Sequence, residues 1–200
     1  MSTERTVCIV DDDPDVRDSL EMLLRRARYK TLLFESARAF LQAGIKAVDT
    51  CVVADIRMPE MDGLALQREI NRTIPGLPVI IMTGHGDVPM AVQAMKEGAV
   101  EFLEKPFERE ALTNALDIAF ARLAQSASPA KPAPSLDKAL TDREREVYDL
   151  LVEGHQNKVI AHKLGISSRT VEVHRARVME KMHAKSLAEL VRHSLSQRKT

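Results

Sequence analysis

Five side chains of this 200-residue sequence stand where short apolar runs stop. Asp11 and Asp12 follow the run 6–10, Asp55 ends 51–54, Thr83 ends 77–82, and Lys105 follows 100–104. Singly, each has an ordinary use as a helix cap, a strand-end residue or a surface charge. Gathered at one place they would do chemistry. Three carboxylates within a few ångströms raise one another's pKa and stay ionised together only beside a cation. Hard oxygen ligands that leave room for water suit Mg²⁺, or Mn²⁺ in its place. A carboxylate flanked by such a metal, an ammonium and a hydroxyl is equipped to accept a phosphoryl group.

The elements that would gather them can be read between the five residues. The apolar runs are too short for helices and rich in β-branched residues, and helical periodicity fills the gaps between them. Strands are expected at 6–10, 30–34, 51–55, 77–82 and 100–104. Asp13 caps a helix opened by Pro14, with Val16, Leu20, Leu23, Leu24 and Ala27 on one face. Ser36 caps a second helix, a third runs from about residue 62 to 73, a fourth over 87–97, and a fifth over 109–124. Strictly alternating strands and helices imply a parallel, doubly wound α/β sheet. Right-handed crossovers then bring every strand's carboxyl end to one edge, where such sheets carry their sites.

A change of composition follows. Residues 125–136 contain three prolines and nothing aliphatic larger than alanine before Leu136, the signature of a linker. Residues 1–124 carry 15 Lys+Arg against 20 Asp+Glu, whereas 137–200 carry 13 against 9 and five of the six histidines. An acidic half joined to a basic half suggests nucleic acid as the partner of the second. That half is helical throughout. Thr141-Asp142-Arg143-Glu144 reads as a capping box, helices follow over 158–164 and from 168 to about 183, and Ser186-Leu187-Ala188-Glu189 reads as another box before a last helix. Two helices joined by the turn at Gly165 have helix-turn-helix spacing. On the second of these, Val171, Val178 and Met182 form the core stripe. Arg169, Glu172, Val173, Ala176 and Arg177 share another face suited to the major groove, while Asn157, Lys158 and Arg175 suit phosphates. The amino terminus lacks a signal-peptide pattern, and Cys8 and Cys51 lie in apolar strands as free thiols. A cytoplasmic protein without a membrane partner is expected.

Two resemblances rest on these residues. The acid pair after strand one, the Asp55-x-x-Met58-Pro59 turn, Thr83 and Lys105-Pro106 resemble a two-component receiver domain over about residues 5–124. The runs 83–92 and 104–108 are similar to the FixJ subgroup in particular. The resemblance implies that Asp55 is the phosphoacceptor, that Asp11 or Asp12, Asp55 and the backbone carbonyl of Arg57 hold the metal, and that Lys105-Pro106 is a cis bond. It also implies that Thr83 and Phe102 form a coupled switch pair. Phe102 replaces the tyrosine of many relatives and so lacks one hydroxyl. Val92, Met95, Lys96 and Glu101 are implied as the receiver's pairing face. The runs 140–147, 157–161 and 168–175, Thr170 among them, resemble the LuxR-type DNA-binding domain over 137–197, in which the last helix contributes to pairing on DNA.

The expectation is therefore a response regulator of the FixJ/NarL type: an α/β receiver over 1–124, a linker over 125–136 and an all-α helix-turn-helix domain over 137–200. It would be a DNA-binding transcription factor, not an enzyme beyond its own phosphoryl transfer and slow dephosphorylation. A sensor histidine kinase would supply the phosphoryl group, and a homodimer would meet an operator in double-stranded DNA and RNA polymerase. An aspartyl-phosphate hydrolase uses the same residue types. Its nucleophile follows strand one, however, and it needs a cap insertion that this sequence lacks. A regulator that binds DNA without phosphorylation is the third alternative.

Overall fold

Short strands saturated with Val, Ile and Cys cannot expose either face, so helices must cover both. The computed structural model describes residues 5–84, 88–124 and 140–197. The linker expected over 125–136 lies outside them, as do His85, Gly86 and Asp87 after the fourth strand. By contact the described residues form two units. One comprises all five strands with four helices; the other comprises the fourth helix of the chain with the four C-terminal ones.

In the first unit β1 (Thr6–Val10), β2 (Lys30–Phe34), β3 (Thr50–Asp55), β4 (Val79–Thr83) and β5 (Glu101–Glu104) form one parallel sheet ordered β2-β1-β3-β4-β5. β3 is central and buried along its whole length, which explains its continuous apolar text. Helices α1 (Pro14–Arg26), α2 (Ala37–Gln42), α3 (Gly63–Thr73) and α5 (Arg109–Ala124) complete the unit. Val7, Ile9, Cys51, Val53, Ile80, Met82 and Leu103 pack with Leu20 and Leu24 of α1 and Leu112, Leu116 and Phe120 of α5. Cys8 and Cys51 are free and buried, and burial pushes both thiols up, Cys8 to about 12. They are inert apolar fillers.

Caps fall where the side chains call for them. Asp13, Ser36 and Asp62 each accept an N–H from the first turn of α1, α2 and α3. Gly63 is dictated by a close approach, because a Cβ there would lie 2.5 Å from the Asp55 carbonyl oxygen. Only a glycine lets α3 start against the end of β3. β4 begins later than the apolar run suggests, since Pro78 cannot donate to the ladder; its carbonyl still accepts the Val52 N–H at 2.9 Å.

The second unit holds α4 (Val88–Lys96), α6 (Asp142–Val152), α7 (Asn157–Leu164), α8 (Ser168–Lys181) and α9 (Leu187–Gln197). Ala91, Val92, Ala94 and Met95 of α4 are buried, while Pro89, Gln93 and Lys96 are exposed. Thr141 and Glu144 form the expected capping box on α6. Gly165, at φ 65°, ends α7 in the left-handed region, and Ser167 caps α8. Val171, Val178 and Met182 are fully buried as the core stripe. Before α9, Ser186 Oγ accepts the Glu189 N–H at 3.1 Å and Glu189 accepts the N–H of Lys185 at 2.8 Å.

Candidate functional site

The carboxyl ends of β1, β3 and β5 deliver Asp11, Asp55 and Lys105 to one another. The Lys105 ammonium donates to Asp55 Oδ1 at 2.6 Å and to Asp11 Oδ2 at 3.0 Å, bridging residues 50 and 94 positions away. Each carboxylate has a second fixed bond. Asp55 Oδ2 accepts the Arg57 N–H at 2.6 Å, and Asp11 Oδ1 accepts the Asp13 N–H at 2.9 Å. Asp11 and Asp55 are nearly closed to solvent, 2% and 8% exposed. The Lys105–Pro106 bond is cis, as the resemblance implied.

Burial pushes the Asp55 carboxyl above its ordinary value. Lys105 and the Arg57 N–H pull it down without cancelling that, and Asp11 adds to the rise. Burial also works against the Lys105 ammonium, yet the bonds to Asp55 and Asp11 outweigh it and hold this lysine above the usual range. At neutral pH the lysine is charged, and one ammonium faces two carboxylates. The negative balance is what a cation or an incoming electrophile would relieve.

Asp12 is exposed, outside the pair that Lys105 joins. Among the described residues no three histidine, cysteine or carboxylate side chains are grouped to hold a metal ion. Asp11 and Asp55 still fit Mg²⁺, which is ordinarily held by one or two carboxylates and keeps several waters.

Thr83 is fully buried at the end of β4, and its hydroxyl donates to the Gly84 carbonyl at 3.3 Å. Phe102 pairs across from Ile81, two residues before Thr83 on β4. Thr83 and Phe102 therefore share one face of the sheet as diagonal neighbours. Of the expected pairing residues, Val92, Met95 and Glu101 are buried and Lys96 is exposed. Glu101 is turned inward, accepting the Phe102 N–H at 3.2 Å. One participant escaped the sequence: Arg17 of α1 donates to the Asp11 carbonyl at 2.7 Å and so holds the acid-bearing loop. Nothing in its spacing marks it.

In the second unit, Arg169, Thr170, Glu172, Val173, Ala176 and Arg177 are exposed on α8, with Val173 47% open to solvent. Lys158 is exposed at the start of α7. Asn157 and Arg175 are half-buried and joined at 3.5 Å. The start of α7 has no side-chain cap, which leaves its first N–H groups free for other acceptors.

Residues 7–117 match the response regulator receiver domain, and residues 138–194 match the bacterial regulatory proteins of the luxR family. The transcriptional regulatory protein FixJ of Bradyrhizobium diazoefficiens is 46% identical over 195 residues, 96% of this chain and 95% of the relative. The chain belongs to the FixJ family of response regulators. FixJ of Rhizobium meliloti is 45% identical, with 97% of each chain covered. The crystal structure of full-length FixJ from B. japonicum has 42% identity, a TM-score of 0.58 and full coverage of both chains. This is a transcription factor with a receiver and a LuxR-type DNA-binding domain. A receiver implies a sensor kinase, the LuxR-type domain implies DNA, and receivers generally take Mg²⁺ at the phosphorylation site. Among the described residues no helix is long and apolar enough to cross a membrane.

Proposed function

We propose that residues 1–124 form the phosphoacceptor domain, 125–136 a linker and 137–200 the DNA-binding domain of a cytoplasmic regulator activated by phosphorylation at Asp55. The observation that carries this reading is the Lys105 ammonium held between Asp55 and Asp11. An Asp55 oxygen attacks the phosphorus of a phosphohistidine on the kinase; the P–O bond forms, the P–N bond breaks, and the imidazole leaves with a proton. Lys105 then moves from carboxylate to phosphoryl oxygen, and Thr83 redirects its hydroxyl from the Gly84 carbonyl to another. Asp11, Asp12, Asp55 and the Arg57 carbonyl would hold Mg²⁺ or Mn²⁺, which when bound offsets the charge of the phosphoryl oxygens. The same groups later allow slow hydrolysis of the acyl phosphate, which with the phosphoryl transfer completes the chemistry assigned to the chain.

Withdrawal of Thr83 vacates space on the face it shares with Phe102, whose ring follows it inward. Receivers then pair through Val92, Met95, Lys96 and Glu101, of which the three buried residues must first be uncovered. Pairing raises the effective concentration of the second DNA-binding domain at a two-site operator without any new contact to DNA. There Arg169, Thr170, Glu172, Val173, Ala176 and Arg177 face base edges, while Asn157, Lys158 and Arg175 hold phosphates. The bound dimer presents itself to RNA polymerase. Incubation with acetyl phosphate and Mg²⁺ followed by intact-mass analysis tests the chemistry. Wild type gains one acid-labile phosphoryl group and Asp55→Asn gains none; full labelling of the Asn variant would contradict the assignment.

A further inference from the structure

The first turn of α6 touches the chain at both ends of α8. Arg143 Nη2 donates to the Leu164 carbonyl at 2.6 Å, at the end of α7 and four residues ahead of α8. Its other terminal nitrogen is held by Glu146 at 2.5 Å, so the guanidinium is aimed from two sides. The adjacent Glu144, 3% exposed, accepts from the ammonium of Lys181, the last residue of α8, at 2.7 Å. The same carboxylate oxygen accepts the Thr141 N–H at 2.8 Å and the Thr141 hydroxyl at 2.9 Å. Glu144 is thus locked by its own helix cap before it meets Lys181. Two neighbouring residues on one helical turn hold the chain before and after the helix that carries the exposed face.

A helix that reads base edges must hold its tilt, since a small rotation moves side-chain tips off donors and acceptors whose geometry is exacting. Its buried stripe sets depth: Val171, Val178 and Met182 lie along one line and leave rotation about that line to the ends. We infer that Arg143 and Glu144 are positioning residues for sequence discrimination, fixing the tilt of α8 by holding Leu164 and Lys181. The inference rests on the reading of α8 as the base-contacting helix. Neither residue touches DNA; both act through α8.

The test uses the full-length chain and two duplexes, one selected by the wild type from a random pool and one scrambled. Arg143→Gln removes the grip at Leu164, Arg143→Lys keeps one donor there, and Lys181→Met releases the other end while leaving the Thr141–Glu144 cap. Melting curves establish the temperature below which each variant is fully folded. Below it, Gln at 143 and Met at 181 should lose roughly 10-fold on the selected duplex, the scale of one charge-assisted hydrogen bond. Affinity for the scrambled duplex and the salt slope should hold, and Lys at 143 should recover part of the loss. A merely structural role would lower stability and leave the ratio of the two affinities untouched, and that result overturns the inference. If the wild type itself shows no preference between duplexes, the base-reading role of α8 fails and the inference falls with it.

Discussion

Two buried carboxylates in this molecule are held in opposite ways. Asp55 has one ammonium shared with a second carboxylate and one N–H, and burial leaves its carboxyl above the ordinary range. Glu144 has Lys181 to itself and two further donors from Thr141, and these hold its carboxyl down at about 2. Both side chains are nearly closed to solvent, yet burial outweighs the partners at Asp55, while at Glu144 the bonds from Lys181 and Thr141 outweigh burial. A fully bonded carboxylate fastens one element to another. An under-compensated one at a sheet edge keeps unspent charge for a reaction, which is where perturbed groups gather in functional sites.

Neutral isosteres should break that comparison cleanly. Glu144→Gln should destabilise the C-terminal helices by about 2–3 kcal/mol, because Lys181 loses its counter-charge and the cap one of its acceptors. Urea unfolding of the full chain, followed by helical circular dichroism, measures it. The loss should follow pH. Between 4.5 and about 2 the folded Glu144 binds fewer protons than the unfolded chain, so its contribution is complete above 4.5 and vanishes as pH falls through about 2. The Gln variant should lack that part of the acid transition.

Base reading separates the regions in another way, since the first site converges inward and the α8 face opens outward. Changing Glu172 or Val173 should alter which sequence is preferred, by about 1–3 kcal/mol at the affected pair. Lys158→Ala or Arg175→Ala should weaken all duplexes alike and flatten the salt dependence. Titrations at several salt concentrations distinguish them, and equal loss on selected and scrambled DNA for the Glu172 variant would remove it from the reading face.

The smallest effect has the reverse sign. In the folded chain Asp55 binds a proton more readily than in the unfolded one. Its contribution is therefore present below its ordinary value and lost as pH rises through the raised one. At neutral pH without metal, Asp55→Asn should stabilise the receiver slightly. A clear loss of stability would place Asp55 with Glu144 as a fastening residue.

What the sequence made legible was whatever has a period or a local signature. Asp11, Asp55 and Lys105 could be brought together in advance because each terminates an apolar run and parallel crossovers leave no other edge for them. Asp13, Ser36 and Thr141 were readable as caps because a cap and its N–H lie within three residues. Arg17, Arg143 and Lys181 were not readable in their roles, since their partners are single atoms fixed by tertiary packing. For Arg143 and Lys181 those partners are 21 and 37 positions distant.

The central claim is that phosphorylation of Asp55 controls DNA binding by pairing receivers. Light scattering of the full-length chain with and without acetyl phosphate and Mg²⁺, run beside binding to a selected two-site duplex, tests it most directly. Wild type should pass from monomer to dimer and bind more tightly together, while Asp55→Asn should do neither. A phosphorylated protein that stays monomeric yet binds the duplex far more tightly would contradict the account.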